Sequence, residues 1–148
     1  MSQTLNKTDL PQLLELSVSD PHAWSENNWL SSLEQDQVLG LLKDEKTLVA
    51  CLVLGWGYQE AEVLYLLVRQ DYRRQGLARQ LLHQAIQEAK NSQAERLLLE
   101  VRASNRAARA LYAREGFTED GCRKNYYASQ TSPTGKEDAV LMSLSLVS

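Results

Sequence analysis

At 148 residues, with 43% apolar and 24% charged side chains, the chain has the size and composition of one globular domain that buries a core without disulfides or metal. A formal net charge of -3 excludes a global basic field for non-specific nucleic-acid binding, so any anion site must be local, and Arg69, Arg73, Arg74 and Arg79 can supply one. No apolar run approaches the ~20 residues of a membrane span, the N-terminal residues carry no hydrophobic signal region, and Cys51 and Cys122 belong to no Cys-x-x-Cys pair; the expectation is a cytoplasmic protein with reduced thiols and no metal site.

Thr8-Asp9-Leu10-Pro11 predicts a helix start, a polar cap ahead of a proline that the first turn tolerates. Leu10, Leu13, Leu14 and Leu16 give a partial apolar face, and Asp20-Pro21 stops the helix. Ser25-Glu26 opens a second short helix bearing Trp29, Leu30 and Leu33. Gln37–Leu42 and Thr47–Trp56 read as strands joined by a turn at Lys43–Lys46, and Glu62–Val68 reads as a third. A helix over Gly76–Gln93 places Leu77, Leu81, Leu82, Ala85, Ile86 and Ala89 on one face. Arg96–Val101 is nearly continuously apolar, as a strand covered on both faces would be. Ser104-Asn105 starts a helix over Ser104–Glu115 that Gly116 terminates, and Phe117–Tyr127 and Glu137–Leu146 close the chain as two strands around the polar loop Ser129–Lys136. The order predicts a mixed α/β fold with hairpins at both ends and a β-α-β crossover in the middle. With no repeat, low-complexity tract or linker, the expectation is a single domain over residues 1–148.

The crossover carries the most telling stretch, Val68–Arg79. An apolar strand enters it, a helix leaves it, and an arginine-rich turn ending at Gly76 lies between. The first N–H groups of a helix have no intrahelical partner, and the macrodipole adds about half a positive charge there. Gly76 lacks a Cβ, so an anion can approach its backbone closely. A basic turn sits poorly with the macrodipole unless an anion joins it.

Arg73-Arg-Gln-Gly76-Leu-Ala78 resembles the pyrophosphate loop, Q/R-x-x-G-x-G/A, of the GNAT superfamily of N-acetyltransferases, and the order of elements resembles that family over essentially the whole chain. Within it the chain is similar to the RimI-type enzymes, through Trp24-Ser25-Glu26, Asp71–Leu77, Leu99-Glu-Val-Arg-Ala-Ser-Asn105, Ala110-Leu-Tyr112 with Gly116-Phe117, and Arg123-Lys-Asn-Tyr-Tyr127 with Glu137-Asp-Ala139. Gln70 and Ala128 stand where those relatives often carry proline, and Ala78 replaces the commoner second glycine. The resemblance implies a GNAT fold: a central, mostly antiparallel sheet, a β-α-β core that binds acetyl-CoA, and a splayed strand pair. It also implies transfer of acetyl from acetyl-CoA to the N-terminal alanine of a small-subunit ribosomal protein. No metal and no direct nucleic-acid or membrane contact is implied. The oligomeric state stays open between monomer and weak dimer.

The residues themselves allow both bland and chemical readings. Glu100 shares with Leu98 the face opposite Leu97, Leu99 and Val101. A partly dehydrated carboxylate is a better proton acceptor than a hydrated one, which suits a general base; the same placement suits an ion pair with Arg102 or Arg123. By periodicity Tyr112 is a core aromatic beside Ala108 and Leu111. The resemblance makes Glu100 the base and Tyr112 the acid that protonates the departing thiolate. It assigns the backbone of Leu66, Leu67 and Val68 to the acetyl and pantetheine groups. Arg74, Gln75, Gly76, Leu77, Ala78 and Arg79 would hold the pyrophosphate, and Asn105, a helix cap by its own chemistry, would also touch the coenzyme. The Trp24 loop and Tyr126-Tyr127 would wall the peptide site. Two rivals remain: an acetyltransferase of a small amine or lysine, and a non-catalytic module that binds acyl-CoA.

Overall fold

The computed structural model describes residues 2–18 and 20–147, so the expected domain limits at residues 1 and 148 lie outside the described residues. The chain runs β1 (Gln3–Thr4), α1 (Leu10–Ser17), α2 (Glu26–Gln35), β2 (Gln37–Lys43), β3 (Thr47–Gly57), β4 (Glu60–Val68), α3 (Leu77–Asn91), β5 (Arg96–Arg102), α4 (Arg106–Arg114), β6 (Thr118–Ala128) and β7 (Lys136–Ser145). The strands form one sheet in the order β1-β2-β3-β4-β5-β7-β6. Only β4 and β5 pair in parallel, joined by α3; every other neighbouring pair is antiparallel. This is the mixed α/β sheet that the resemblance implied.

The sheet is covered on both faces, and β3 explains how one strand serves two cores. Leu52 and Leu54 join Leu39, Ala61, Val63, Leu97 and Leu99 under Leu81, Leu82, Ala85 and Ala89 of α3. Cys51 and Val53 point the other way, to Leu13 and Leu16 of α1 and Trp29 of α2. Side chains alternate across a strand, so a strand sandwiched between helices reads as an unbroken apolar run. Cys51 is buried, and burial pushes its thiol up to about 12.

Three local expectations need correcting. The first helix is entered from a 3-10 turn, Lys7–Asp9, which Asn6 caps by accepting from Thr8 N–H at 2.9 Å, while Asp9 returns the contact to Asn6 N–H at 2.8 Å. The α-helix does start at Leu10, with Asp9 at its N-cap position and Pro11 in its first turn, but Asp9 makes no side-chain cap bond there and the capping contacts belong to Asn6 one turn earlier. The helix ends at Ser17, whose hydroxyl bonds back to Leu13 O, before Asp20-Pro21 is reached. The short β1 was not expected: its two residues are exposed, and it is held against β2 because Leu5 packs over Gly40, where a Cβ would lie 2.7 Å from a Leu5 methyl.

The feature that shapes the site is where the parallel pairing stops. It joins Glu60–Val63 to Arg96–Leu99 and goes no further. Beyond Val63, β4 stays with β3 up to Val68↔Ala50, and β5 stays with β7 up to Arg102↔Ala139. The divergence begins at a bulge: Val53 faces Tyr65 and Leu54 faces Val63, leaving Leu64 as the extra residue. An added residue bends and twists its strand. The two central strands thus splay, and a wedge opens between their C-terminal halves.

Leu82 has no exposed surface and sits in the middle of the α3 face. Leu82→Ala is expected to lower unfolding free energy by about 2–5 kcal/mol, read as a lower urea midpoint at unchanged slope.

Candidate functional site

At the wide end of the wedge lies the turn between β4 and α3. A 3-10 turn at Gln70–Tyr72 leads into Arg74, at φ 64, and Gly76, at φ 79. Two left-handed residues so close together turn successive N–H groups toward one side, an arrangement that binds anions. The first backbone bond of α3 is donated by Gln80 to Gly76 O at 3.0 Å, so the N–H groups of Arg74, Gln75, Gly76, Leu77, Ala78 and Arg79 have no acceptor among the described residues. A Cβ built on Gly76 meets nothing within 4 Å. The cradle therefore has room for a phosphate, and a side chain at Gly76 would both strain the backbone and fill the approach.

The arginine side chains do not all serve this anion site as expected. Arg69 spans Glu15 at 2.7 and 2.8 Å and donates to Leu48 O at 2.8 Å, so it braces the turn against α1 and β3. Arg73 donates to Val68 O at 3.1 Å. Arg79 is held by Glu115 at 2.7 Å, beside His83 at 2.9 Å, and this pair of donors keeps the Glu115 carboxyl below the ordinary range, His83 contributing most. Arg74 makes no side-chain bond among the described residues.

Inside the wedge the backbone of β4 supplies the polar groups. Arg69 N–H donates to Val49 O at 2.7 Å, toward β3. Groups two residues apart point the same way along a strand, so Leu67 also faces β3, while Leu66 and Val68 direct their N–H and C=O into the wedge. Of the three residues expected here, Leu66 and Val68 present backbone groups to the cleft, and Leu67 instead pairs with Cys51 and packs its side chain on the α1–α2 side.

Across the wedge, Glu100 lies on β5 with its side chain 21% exposed, paired with Arg123 of β6 at 3.2 Å. The ion-pair alternative is thus realised with Arg123 and not with Arg102, which instead binds Ala128 O and Glu137 and stacks on Tyr127 at 4.4 Å. Glu62, which the sequence reading left as the mere start of a strand, is the residue that reading missed. Its register partner is Leu98, and side chains two apart on β5 share a face, so Glu62 and Glu100 lie on the same side of the sheet. Burial first, and then the neighbouring charge of Glu100, raises the Glu62 carboxyl above its ordinary range. Its signal was present in Glu60-Ala-Glu62: a carboxylate at the inward, half-buried position of a strand flanked by Ala61 and Val63, both buried on the other face.

Tyr112 satisfies the core reading. It is 6% exposed, packs on Phe117 with ring centroids 5.7 Å apart, and closes the α3–α4 core. Burial, and then the proximity of Tyr127, pushes its phenol up to about 12. Asn105 caps α4, accepting from Ala108 N–H at 3.1 Å.

Two aromatic walls flank the cleft. On one side Trp24 stacks on Tyr65 at 5.1 Å and meets Trp29 at 4.9 Å, and the Tyr65 hydroxyl donates to Asp20, tying the α1–α2 loop to β4 just past its bulge. On the other, Tyr126 and Tyr127 meet edge-on at 5.1 Å. Among the described residues no cluster of three or more His, Cys, Asp or Glu could hold a metal, and no helix is long and apolar enough to cross a membrane.

The comparisons with known proteins agree with this geometry. The model of the Acetyltransferase (GNAT) family matches residues 6–117. The [ribosomal protein bS18]-alanine N-acetyltransferase of Escherichia coli (strain K12) is 37% identical over 95% of this chain and 94% of its own. The protein of the same description from Salmonella typhimurium is 35% identical over 95% and 93%. The crystal structure of the ribosomal-protein-S18-alanine N-acetyltransferase from Escherichia coli superimposes with a TM-score of 0.92 at 35% identity, covering 100% of this chain and 94% of that one. With the wedge, the anion cradle and these relatives together, the chain belongs to the GNAT family of acetyltransferases.

Proposed function

We propose that the protein is an acetyl-CoA-dependent N-terminal acetyltransferase that modifies the N-terminal alanine of a small-subunit ribosomal protein in the cytoplasm. The observation that carries this reading is the wedge: the polar groups of Leu66 and the N–H of Val68 are left without a strand partner, Val68 O being taken by Arg73, and they lead directly into a cradle of six N–H groups unpaired among the described residues. The cradle would hold a pyrophosphate, and the open edge of β4 that runs into it would receive an extended arm such as pantetheine, which a simple phosphate lacks. RimI-type relatives matching nearly end to end supply the substrate class.

Acetyl-CoA, when bound, supplies the acetyl group as an activated thioester. The N–H groups of Arg74 to Arg79 hold its pyrophosphate, and Asn105 lies at the start of α4 to touch the coenzyme as well as cap the helix. Leu66 and Val68 pair with the pantetheine arm as a missing strand would. The Val68 N–H faces the acetyl oxygen and stabilises the charge that develops there, an effect typically worth about 3 kcal/mol. Glu100, directly or through water, accepts a proton from the substrate ammonium so that the amine can attack. Tyr112 donates its proton to the leaving sulfur. A phenol at about 12 is protonated throughout the working range, and it yields its proton only to a thiolate that leaves into the same dry surroundings, where that thiolate is also a stronger base than in water. Trp24, Tyr65, Tyr126 and Tyr127 line the walls between which the peptide enters.

Glu100→Gln is expected to lower kcat by about 10²–10⁴-fold with the acetyl-CoA KM little changed; unchanged turnover would remove the base assignment. Tyr112→Phe should slow release of coenzyme A while leaving acetyl-CoA binding intact. An alanine-starting ribosomal peptide should outcompete a polyamine and a lysine-bearing blocked peptide, and coenzyme binding with no acetyl transfer to any of them would favour the binding-module reading. Tyr112 also predicts an alkaline response. Its folded pKa lies above that of a free phenol, so its contribution is whole below about 10 and is lost as pH rises through about 12. Thermal melts over that window should fall less steeply for Tyr112→Phe than for the wild type.

A further inference from the structure

Glu100 already has a cation. Arg123 Nε lies 3.2 Å from a Glu100 carboxylate oxygen, while its guanidinium rests 5.3 Å from the centroid of the Tyr126 ring. Glu62 shares this face of the sheet, and its carboxyl is raised first by burial and then by Glu100, with Arg123 opposing. Two carboxylates and one guanidinium sum to a single negative charge, which one arriving ammonium would neutralise.

Arg123 is not a structural strut. Its side chain is 55% exposed, and the strand around it is fixed by backbone contacts: Arg123 registers with Ala139, and the bulge that follows is held by Asp138, which accepts from Asn125 N–H at 2.9 Å. Its closest approach to Glu100 is through Nε at 3.2 Å, without the two hydrogen bonds by which Arg69 grips Glu15. Such a partly exposed pair is easily exchanged.

We propose that Arg123 is an internal stand-in for the substrate ammonium: it pairs with Glu100 in the free protein and is released from it, keeping its place over the Tyr126 ring, when the peptide N-terminus takes its position between Glu100 and Glu62. This rests on the reading of Glu100 as the group that receives the ammonium. The exchange swaps one cation for another on the same carboxylate, so the cleft never presents two bare carboxylates to water. It also sets a threshold: an amine must displace Arg123 before it can react, and a peptide recovers that cost through the aromatic walls whereas a small amine has little to offset it.

The test compares wild type, Arg123→Gln and Arg123→Lys with an alanine-starting peptide and with alaninamide. Removing the competitor should lower KM for both amines, on the order of fivefold, the factor that corresponds to an exposed ion pair, with the effect on KM rather than kcat. Arg123→Lys, which keeps the charge, should restore the wild-type KM. A KM that stays the same or rises in Arg123→Gln, or a kcat that falls at constant KM, overturns the proposal and makes Arg123 a residue that attracts substrate or orients Glu100. Glu100→Gln run alongside separates the two levels: if it retains wild-type turnover, the base assignment falls and this inference with it, whereas an inactive Glu100→Gln with an unresponsive Arg123→Gln overturns the stand-in alone.

Discussion

The structure depends on two strands that part company. Parallel pairing between β4 and β5 ends at Val63 and Leu99, and each strand then keeps its other neighbour. Unpaired N–H and C=O groups in a protein interior are costly, so a sheet does not open in this way without another partner for them. On the function proposed above, that partner is the coenzyme's pantetheine arm alongside β4. The bulge at Leu64 starts the divergence, and Arg69 anchors its far end, its backbone N–H on Val49 and its guanidinium on Leu48 O and Glu15. The opening is thus built into both ends of the strand rather than left to the ligand to pry apart.

A second irregularity performs the matching task on the opposite wall. In β6, Arg123 faces Ala139 and Tyr127 faces Glu137, so Lys124, Asn125 and Tyr126 together stand against Asp138 alone. Asn125 adopts φ 53, and Asp138 secures the excursion by accepting from its N–H. One residue away, Glu137 accepts from Ser104 N–H at 3.1 Å and pairs with Arg102, fixing the entrance of α4. Burial opposes the Glu137 charge, but Ser104 and Arg102 outweigh it and hold the carboxyl below its usual range. The blocks Asn125-Tyr-Tyr127 and Glu137-Asp-Ala139 are therefore one device. The acidic pair shapes the bulge that brings Tyr126 and Tyr127 edge to edge and seats the start of the helix that carries Tyr112.

Much of the fold was legible because its apolar pattern is unambiguous. The α3 face and the run Arg96–Val101 follow helical and buried-strand periodicity, and both formed where expected to within two residues. Asn105 was legible as a cap because a polar side chain before an apolar helix has few other uses. What escaped was set by distant partners. Arg69 and Arg79 read as phosphate ligands because they sit in a basic turn, yet their acceptors lie 54 and 36 residues away. The choice between Leu67 and Val68 depends on which strand edge each faces, and a one-residue bulge decides that. Glu62 escaped although its alternation with Ala61 and Val63 was legible, because that alternation does not say that Leu98, and so Glu100, would stand beside it.

The chemistry of Tyr112 follows from burial more than from any contact. In water a thiol is a stronger acid than a phenol, so a tyrosine would be a poor donor to a thiolate. Here the phenol is closed into the α3–α4 core beside Phe117, and the same dehydration that pushes it up to about 12 acts on any anion that forms next to it. A thiolate generated in that setting pays the same desolvation penalty, and its affinity for the proton rises with it. Core packing and proton donation are then not competing readings of one residue. On the proposed mechanism the packing keeps the proton in place until sulfur bears charge, and the wedge is what would bring the sulfur there.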